Sequence, residues 1–313
     1  MVTRPNWILP DGIEECLPEE AWAIEDGRRL CLDLFRDSRF GLIIPPMVEY
    51  LDSLTSGVGQ DLMEQVVVIT DRVSGRLMGI RPDMTPQAAR IDAHALNESR
   101  TTRLCYCGSV LRAMPTNGDS NRSPVQLGAE IFGNTNISAD IEIVRLALDT
   151  VRLFTDEPLM IDCGHAGALK SILGSHTQAF QSQVLDALAR KDLDALSKLE
   201  RTVPEIAVLK HAYGDLDKVF SSCESEKILR EACSEVGAVR EGLEVENVSW
   251  YCDFGETHGF SYHTGLVFGV YSLKRDQLLV RGGRYDYVGE SFGRARAATG
   301  FSADLKTLVR LAN

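Results

Sequence analysis

Two polar side chains interrupt an apolar segment, residues 125–132, whose composition predicts a β-strand. They are Gln126 and Glu130, and because side chains four positions apart point to the same face of a strand, both can line one pocket. A buried acceptor in such a pocket would select ligands that carry a matching donor, since an unmet buried polar group costs about 1 to 3 kcal/mol. The alternative is that both side chains face solvent.

A second pair of polar residues lies in the segment Arg81-Pro-Asp-Met-Thr85. Asp83 carries a carboxylate and Thr85 a hydroxyl group. These groups can accept hydrogen bonds from a cationic ligand, because a carboxylate forms the strong, charge-assisted kind. Considered alone, Asp83 is more typical of a turn or helix-capping carboxylate.

Two later segments also hold residue types that bind ligands. Residues 258–265 contain His258, Tyr262 and His263, and residues 282–286 read Gly-Gly-Arg-Tyr-Asp. Alone, His258 is more typical of a loop histidine with satisfied hydrogen bonds, and a Gly-Gly pair often marks only a turn. Neither segment identifies a chemistry by itself.

The elements that must position these residues are short strands and a few helices. Residues 18–37 predict a helix, because Pro18 suits a first turn, two acidic residues follow it, and apolar residues recur at helical spacing. A helix is also expected at 140–154, with Ser138 as its N-cap, and another at 304–311. Strands are predicted at residues 40–46, 66–70, 76–80, 102–112, 125–132, 248–254, 266–273, 277–281 and 298–302.

The order of these elements favours an α+β fold in which helices flank an antiparallel sheet. Residues 66–70 and 76–80 predict a β-hairpin with a five-residue loop. A Rossmann nucleotide site is disfavoured, because no Gly-x-Gly-x-x-Gly pattern lies between a strand and a helix. Residues 166–245 are charged and helically periodic, so we expect a helical insertion there, within a core formed by residues 1–165 and 246–313.

Composition and charge limit the partners. The 313 residues are 44% hydrophobic and can bury a substantial core, and the formal net charge of -12 disfavours a general attraction to nucleic acid. A dense basic stretch forms either a local patch or a solvated loop with scattered ion pairs; it contains Arg281, Arg284, Arg294 and Arg296. The polar loop at residues 113–124 is expected to be mobile unless a ligand or partner orders it.

The eight cysteines do not predict a metal site, because none forms a Cys-x-x-Cys pair and no histidine cluster has zinc-ligand spacing. Cys105 and Cys107 would point to one face of a strand as two buried thiols. The first residues lack a signal-peptide pattern, and no stretch approaches the roughly 20 apolar residues of a membrane span. We therefore expect a cytoplasmic protein with reduced thiols, no metal and no other cofactor.

Taken in order, these segments resemble the signature motifs of histidyl-tRNA synthetases over most of the chain, from residue 10 to residue 308. Residues 81–90 resemble the family's RPEGT segment, which implies that Asp83 and Thr85 hold a ligand's α-ammonium group. Residues 110–112 and 126–130 resemble the second motif of class II synthetases. Arg112 then matches the arginine that grips the activating phosphate and the amino-acid carboxylate.

The resemblance also implies the rest of a histidine-sized pocket. Gln126 would contact the main-chain groups of the amino acid, and Glu130 would accept a hydrogen bond from its imidazole. Residues 282–287 resemble the second histidine-specific signature, in which Tyr285 closes over the bound amino acid. Tyr262 and His263 are expected nearby, with His263 in place of the family's second tyrosine.

Several positions depart from the family's catalytic pattern. His258 stands where the family places a catalytic arginine, and loss of such a donor costs about 10²- to 10³-fold in rate. In the third motif, Asp304 replaces a glycine and Thr307 replaces the arginine that clamps ATP, so that a carboxylate would repel phosphate there. The sequence ends at Asn313, where the family continues with an anticodon-binding domain.

The chain is thereby identified as a member of a regulatory branch of this family, with a class II synthetase-like core, no anticodon-binding domain and no catalysis of its own. The resemblance implies that it binds and activates the short-form catalytic subunit of ATP phosphoribosyltransferase, a glycosyltransferase that opens histidine biosynthesis. It further implies a hetero-octamer, self-association as a homodimer, and feedback inhibition by histidine. The sequence leaves open whether histidine binds in this pocket or at a subunit interface. Neither tRNA nor a membrane is an expected partner.

Two other functions stay open on the sequence. A truncated but active histidyl-tRNA synthetase-like enzyme would form histidyl adenylate, and it would need the ATP clamp. A nucleic-acid-binding module with the same fold is disfavoured by the acidic charge and the missing anticodon-binding domain. Residues 113–124 and 281–296 are candidates for the surface that meets the catalytic subunit, because they adjoin the pocket motifs.

Overall fold

The computed structural model describes residues 8–56, 59–115, 120–223, 226–257, 259–260 and 262–312. The strands are β1 Gly41–Leu42, β2 Val48–Tyr50, β3 Val67–Thr70, β4 Leu77–Ile80, β5 Thr102–Ser109, β6 Val125–Phe132, β7 Leu159–His165, β8 Tyr213–Asp215, β9 Val248–Asp253, β10 Leu266–Ser272, β11 Gln277–Arg284 and β12 Ala298–Asp304. The α-helices are α1 Pro18–Asp37, α2 Leu51–Leu54, α3 Gln60–Met63, α4 Thr85–Arg90, α5 Ile137–Arg152, α6 Ala166–Leu173, α7 Gln178–Ala189, α8 Leu193–Leu199, α9 Ile206–Leu209, α10 Leu216–Cys223, α11 Arg230–Gly242 and α12 Leu305–Val309. A π-helix, Ile91–Leu96, follows α4, and a 3₁₀-helix, Val288–Phe292, precedes β12.

One large sheet holds nine strands in the order β1-β5-β6-β12-β11-β10-β7-β9-β8, and β2, β4 and β3 form a second sheet. The large sheet is antiparallel except for the pairs β1–β5 and β7–β9, which are parallel. The predicted α+β fold with an antiparallel sheet flanked by helices is therefore confirmed. In its centre, Gly300 of β12 lies opposite both Glu130 of β6 and Gly283 of β11.

Helix α1 begins and ends at the predicted residues and packs one face against the large sheet. Its Cys31 and Phe35 side chains are fully buried. The rings of Phe35 and Phe301 meet edge to face, with their centroids 6.0 Å apart. Neighbouring residues of a strand point to opposite faces, so α1 covers the face of the sheet opposite to that of Gly300.

The start of helix α5 differs from the prediction. The helix begins at Ile137, and its N-cap is Asn136 in place of the predicted Ser138. The amide of Asn136 donates a 3.0 Å hydrogen bond to Asn134 Oδ1, and Asn136 keeps an extended backbone. The Asn136 side chain makes no capping hydrogen bond, so the turn at Asn134, and not a capping side chain, places the boundary two residues before the predicted cap.

Two strands also differ from the sequence analysis. Strand β7 was not predicted, because Asp162, Cys163 and Gly164 give it little β-propensity, yet it lies between β10 and β9 in the large sheet. Strand β1 is confined to two residues of the predicted 40–46. Proline donates no backbone hydrogen bond, and Pro45 and Pro46 close that segment.

Helices α6 to α11 occupy the predicted helical stretch, and within it only β8, which pairs with β9, is a strand among the described residues. These helices pack into the same hydrophobic cluster as the sheet: Leu169 of α6 and Val236 of α11 are buried with Ile161 of β7. The division into a core and an insertion at residues 166–245 stays a prediction, since both parts share one core. None of the helices among the described residues has the length and apolar character needed to cross a membrane.

The dense basic stretch at residues 281–296 is not a continuous basic surface. The Arg284 side chain is 9% exposed and pairs with Asp140 at 2.7 Å. The Arg296 side chain is 7% exposed and pairs with Asp92 at 2.8 Å. Both arginines therefore fasten the segment between β11 and β12 to helices of the core.

Removing Asp140 should destabilise the fold, because the Arg284 guanidinium would remain buried without this partner. Because Arg284 keeps Asp286 as a second partner at 3.2 Å, we expect Asp140→Ala to lower the free energy of unfolding by about 1.5 to 3 kcal/mol, as measured by urea denaturation. Asp33→Ala is the control, since it breaks the exposed Arg36–Asp33 pair and should cost about 1 kcal/mol or less. Equal losses in the two variants would contradict a structural role for the buried pair.

Candidate functional site

A cavity of about 670 Å³ lies over the centre of the large sheet, within the size range of small-molecule sites. Gly283 and Gly300 of the central strands are part of its lining. The predicted pocket residues that line it are Asp83, Thr85, Arg112, Glu130, Tyr262, His263 and Tyr285. The structure thus brings together seven residues from five separate sequence segments.

Glu130 lies in this cavity with hydroxyl groups on both of its carboxylate oxygens. Tyr106 Oη lies 2.8 Å and Thr85 Oγ1 3.0 Å from Oε1, and Tyr285 Oη donates to Oε2. The side chain of Glu130 is almost inaccessible, with the residue 1% exposed. The acceptor that was predicted for a ligand nitrogen is therefore held in place by hydroxyl groups of the protein itself.

Burial raises the pKa of Glu130 to about 8. Hydrogen bonds from Tyr285, Tyr106 and Thr85 oppose this rise in pKa, whereas the negative charge of Asp83 adds to it. Burial, followed by the charge of Glu130, also raises the pKa values of Tyr106 and Tyr285 well above their ordinary range. The carboxyl group thus titrates near neutral pH, and a cationic ligand beside it would favour its charged form.

Glycines give this network its space. A Cβ atom at Gly300 would overlap Glu130 Oε2, and one at Gly283 would lie 3.0 Å from the ring of His263. Between the two polar residues of β6, a Cβ atom at Gly128 would lie 2.5 Å from Tyr106 Oη. The Gly-Gly pair of residues 282–283 is therefore more than a turn signal, because it lies inside β11 and borders the cavity.

Gln126 is the predicted pocket residue that is not among the described residues lining the cavity. It extends from the same face of β6 as Glu130, as predicted, but its amide is buried against the turn before α4. Its Nε2 donates a 2.9 Å hydrogen bond to Asp83 Oδ1. In this structure the Gln126 amide contacts Asp83, which itself lines the cavity, and the expected direct contact between Gln126 and a ligand stays a prediction.

Tyr262 and His263 form one wall of the cavity, and their ring centroids are 4.1 Å apart. His263 is buried, whereas Tyr262 is 41% exposed. Lys170 Nζ of α6 donates a 2.6 Å hydrogen bond to the His263 carbonyl oxygen. The wall is therefore fastened to a helix of the predicted insertion.

The predicted degenerate positions have other contacts. His258 lies outside the described residues. Asp304 Oδ1 accepts hydrogen bonds from the backbone amides of Val125, at 3.0 Å, and Lys306, at 3.1 Å, so it caps α12 and joins it to the start of β6. Thr307 Oγ1 donates to Asp304 Oδ2 at 3.4 Å, and neither Asp304 nor Thr307 is among the described residues that line the cavity.

Tyr106 was not predicted as a site residue, although it is fully buried and contacts Glu130. In the observed register Tyr106 lies opposite Gly128 on β6, and Leu104 lies opposite Glu130. Even-numbered positions of both strands therefore share the face of the cavity. The alternation of side chains along residues 102–109 could have indicated that Tyr106 faces the cavity, but this also required the register between β5 and β6.

Comparison with known proteins places the chain among histidyl-tRNA synthetase-like proteins. The family model described as "Histidyl-tRNA synthetase" matches residues 12–308. A Stutzerimonas stutzeri protein named ATP phosphoribosyltransferase regulatory subunit is 43% identical over 325 residues, which cover 99% of this chain and 82% of that protein. A protein of the same name from an Azoarcus species is 44% identical, over 97% of this chain and 81% of its own.

Solved structures show the same fold. A protein from Bacillus halodurans, described as an ATP phosphoribosyltransferase regulatory subunit/histidyl-tRNA synthetase, superposes with a TM-score of 0.82 at 24% identity, over 100% of this chain and 85% of that one. A chain of the ATP phosphoribosyl transferase (HisG:HisZ) complex from Thermotoga maritima gives a TM-score of 0.69 at 17% identity, over 89% of this chain and 96% of that one.

The raised pKa of Glu130 predicts how stability depends on pH. The folded protein retains this proton up to about pH 8, whereas the ordinary pKa of glutamate is 4.5. The proton on Glu130 therefore stabilises the folded protein. This contribution is fully present below the pKa of the unfolded glutamate and is lost as the pH rises through the pKa of the folded one. Between about pH 5 and 8, the melting temperature of the wild type should therefore fall more steeply than that of Glu130→Gln.

Thermal denaturation at half-unit pH steps measures this difference. Glu142→Gln on α5 is the matched control, because it makes the same change at a carboxylate outside the cavity that pairs with Arg103. Parallel pH profiles for the wild type and Glu130→Gln would show that the buried carboxyl does not titrate as described.

Proposed function

This chain belongs to the family of ATP phosphoribosyltransferase regulatory subunits, within the wider histidyl-tRNA synthetase family, and we propose that it activates the short-form catalytic subunit and confers inhibition by histidine. The proposal makes the chain the histidine sensor of the first step in histidine biosynthesis. It takes no part in the phosphoribosyl transfer itself.

The observation that carries the histidine proposal is the cavity over β6, β11 and β12, where the recognition groups converge. Asp83 offers a carboxylate to an ammonium group, and Glu130 offers an acceptor to an imidazole N–H. Arg112, which lines the same cavity, is a partner for the carboxylate of an amino acid. A free amino acid with a basic ring would therefore find a partner for each of its polar groups.

The geometry around α12 supports a regulatory function over catalysis. Asp304 occupies the third-motif position with a carboxylate that caps this helix, and Thr307 bonds to it instead of extending a cation toward the cavity. A synthetase needs fixed positive charge where the phosphates of ATP react. The competing function, a truncated enzyme that forms histidyl adenylate, lacks support at both positions.

Partner binding is proposed from the relatives. The names of the Stutzerimonas and Azoarcus proteins describe a subunit of ATP phosphoribosyltransferase, and the Thermotoga structure is titled as a HisG:HisZ complex. We propose that this chain self-associates as a homodimer, joins catalytic subunits in a hetero-octamer and does not bind tRNA. Histidine would then regulate the complex by binding two quaternary arrangements with different affinity.

Reconstitution with a short-form catalytic subunit tests the proposal. We expect co-elution in size-exclusion chromatography, higher ATP phosphoribosyltransferase activity in the mixture than for the catalytic subunit alone, and inhibition by histidine. Glu130→Gln should co-elute and activate normally but require about tenfold or more histidine for half-inhibition, because its neutral amide cannot take the charged form that a cationic ligand favours and whose hydrogen bond is worth about 1.5 to 3 kcal/mol.

Glu142→Gln is the control variant and should be inhibited like the wild type. Absence of a complex or of activation would reject the regulatory function. Unchanged inhibition of the Glu130→Gln complex would instead reject only the assignment of histidine to this cavity.

A further inference from the structure

The side-chain amide of Gln126 makes one hydrogen bond through its oxygen and one through its nitrogen to the turn that precedes α4. Gln126 is 3% exposed. Its Oε1 accepts a 2.8 Å hydrogen bond from the Met84 amide, and its Nε2 donates a 2.9 Å hydrogen bond to Asp83 Oδ1. An amide can do both because it carries an acceptor and a donor on one planar group.

These contacts determine how the Asp83 carboxylate is presented to the cavity. Besides Gln126 Nε2, the Thr85 amide donates to Asp83 Oδ1 at 2.7 Å. Both donors converge on one oxygen, and none of the described residues donates a hydrogen bond to Oδ2. Because Asp83 lines the cavity, Oδ2 is the oxygen available to a cationic ligand.

From this geometry we infer that Gln126 is a positioning residue that selects ligands with a primary ammonium group, by orienting the Asp83 carboxylate instead of touching the ligand. The inference rests on the proposed histidine pocket and assigns Gln126 a role different from the direct contact expected from the sequence. Gln126 therefore contributes to the discrimination between histidine and imidazole compounds that lack the α-ammonium group.

The turn itself has separate anchors, so the orientation of Asp83 can be changed without unfolding the turn. The guanidinium of Arg81 donates hydrogen bonds to the carbonyl oxygens of Pro45, at 2.7 Å, and Ser109, at 3.0 Å. These bonds hold the start of the turn to neighbouring segments. Loss of the Gln126 amide then leaves the Asp83 carboxylate held by the Thr85 amide alone, which loosens its orientation while the backbone path is retained.

The test compares two ligands that differ in the ammonium group: histidine and 3-(imidazol-4-yl)propionate. Calorimetric titrations use the wild type, Gln126→Met, Asp83→Asn and the double variant. Methionine fills a similar volume but offers neither hydrogen bond, so Gln126→Met should weaken histidine binding about tenfold, the value of one charge-assisted hydrogen bond. Binding of imidazolylpropionate should stay within about twofold of the wild type.

The double variant distinguishes positioning from direct contact. If Gln126 acts through Asp83, the double variant should bind histidine no more weakly than Asp83→Asn alone, because the two effects share one pathway. Equal losses for both ligands, or additive losses in the double variant, would overturn the inference.

Two further measurements keep the outcome decisive. Gln126→Leu also offers neither hydrogen bond and adds no charge beside Asp83, so it should show the same selective loss if Gln126→Met does not fold. A wild type that binds neither ligand would reject the proposed histidine pocket, and the inference with it. A wild type that binds histidine while Gln126→Met keeps full selectivity would reject the inference alone.

Discussion

The burial of one carboxylate, Glu130, is the constraint on which the rest of the site depends. Removing the charged form of this group from water costs several kcal/mol; Tyr106, Thr85 and Tyr285 supply hydrogen bonds that replace part of its hydration, and the pKa still rises to about 8. These three residues belong to β5, α4 and the segment after β11, respectively. Gly300 must lack a side chain because Glu130 occupies its space. One buried group thus fixes the relative positions of the central strands.

The same network is braced by contacts that lie outside the cavity. Arg284, next to Tyr285, is held by Asp140 at the start of α5. Gln126 and Arg81 hold the turn that carries Asp83 and leads into Thr85. A binding site needs its ligand-facing groups locked by such surrounding bonds if it is to discriminate between similar ligands. The rigidity of this site therefore comes from buried polar pairs as much as from apolar packing.

Much of this arrangement follows from local sequence signals. Helix α1, strand β6 and the position of residues 83 and 85 beside the cavity were predictable, because helix periodicity, strand alternation and short motifs are properties of short segments. Strand β7 was not, since its pairing with β10 and β9 compensates for its poor β-propensity. The contact of Tyr106 with Glu130 and that of Gln126 with Asp83 were not predicted for a related reason. Both depend on which residues lie opposite each other, and register is a property of the folded sheet.

Our proposal combines a cavity that recognises an amino acid with a third motif in which Asp304 and Thr307 supply no cation to ATP. The clearest test of this combination is histidine-dependent exchange of labelled pyrophosphate into ATP, measured at saturating histidine on a preparation shown to bind it. Formation of histidyl adenylate requires that exchange, so our account predicts no signal above that of a mixture without the protein. Exchange that rises with histidine concentration would contradict the account and show that the chain activates its amino acid.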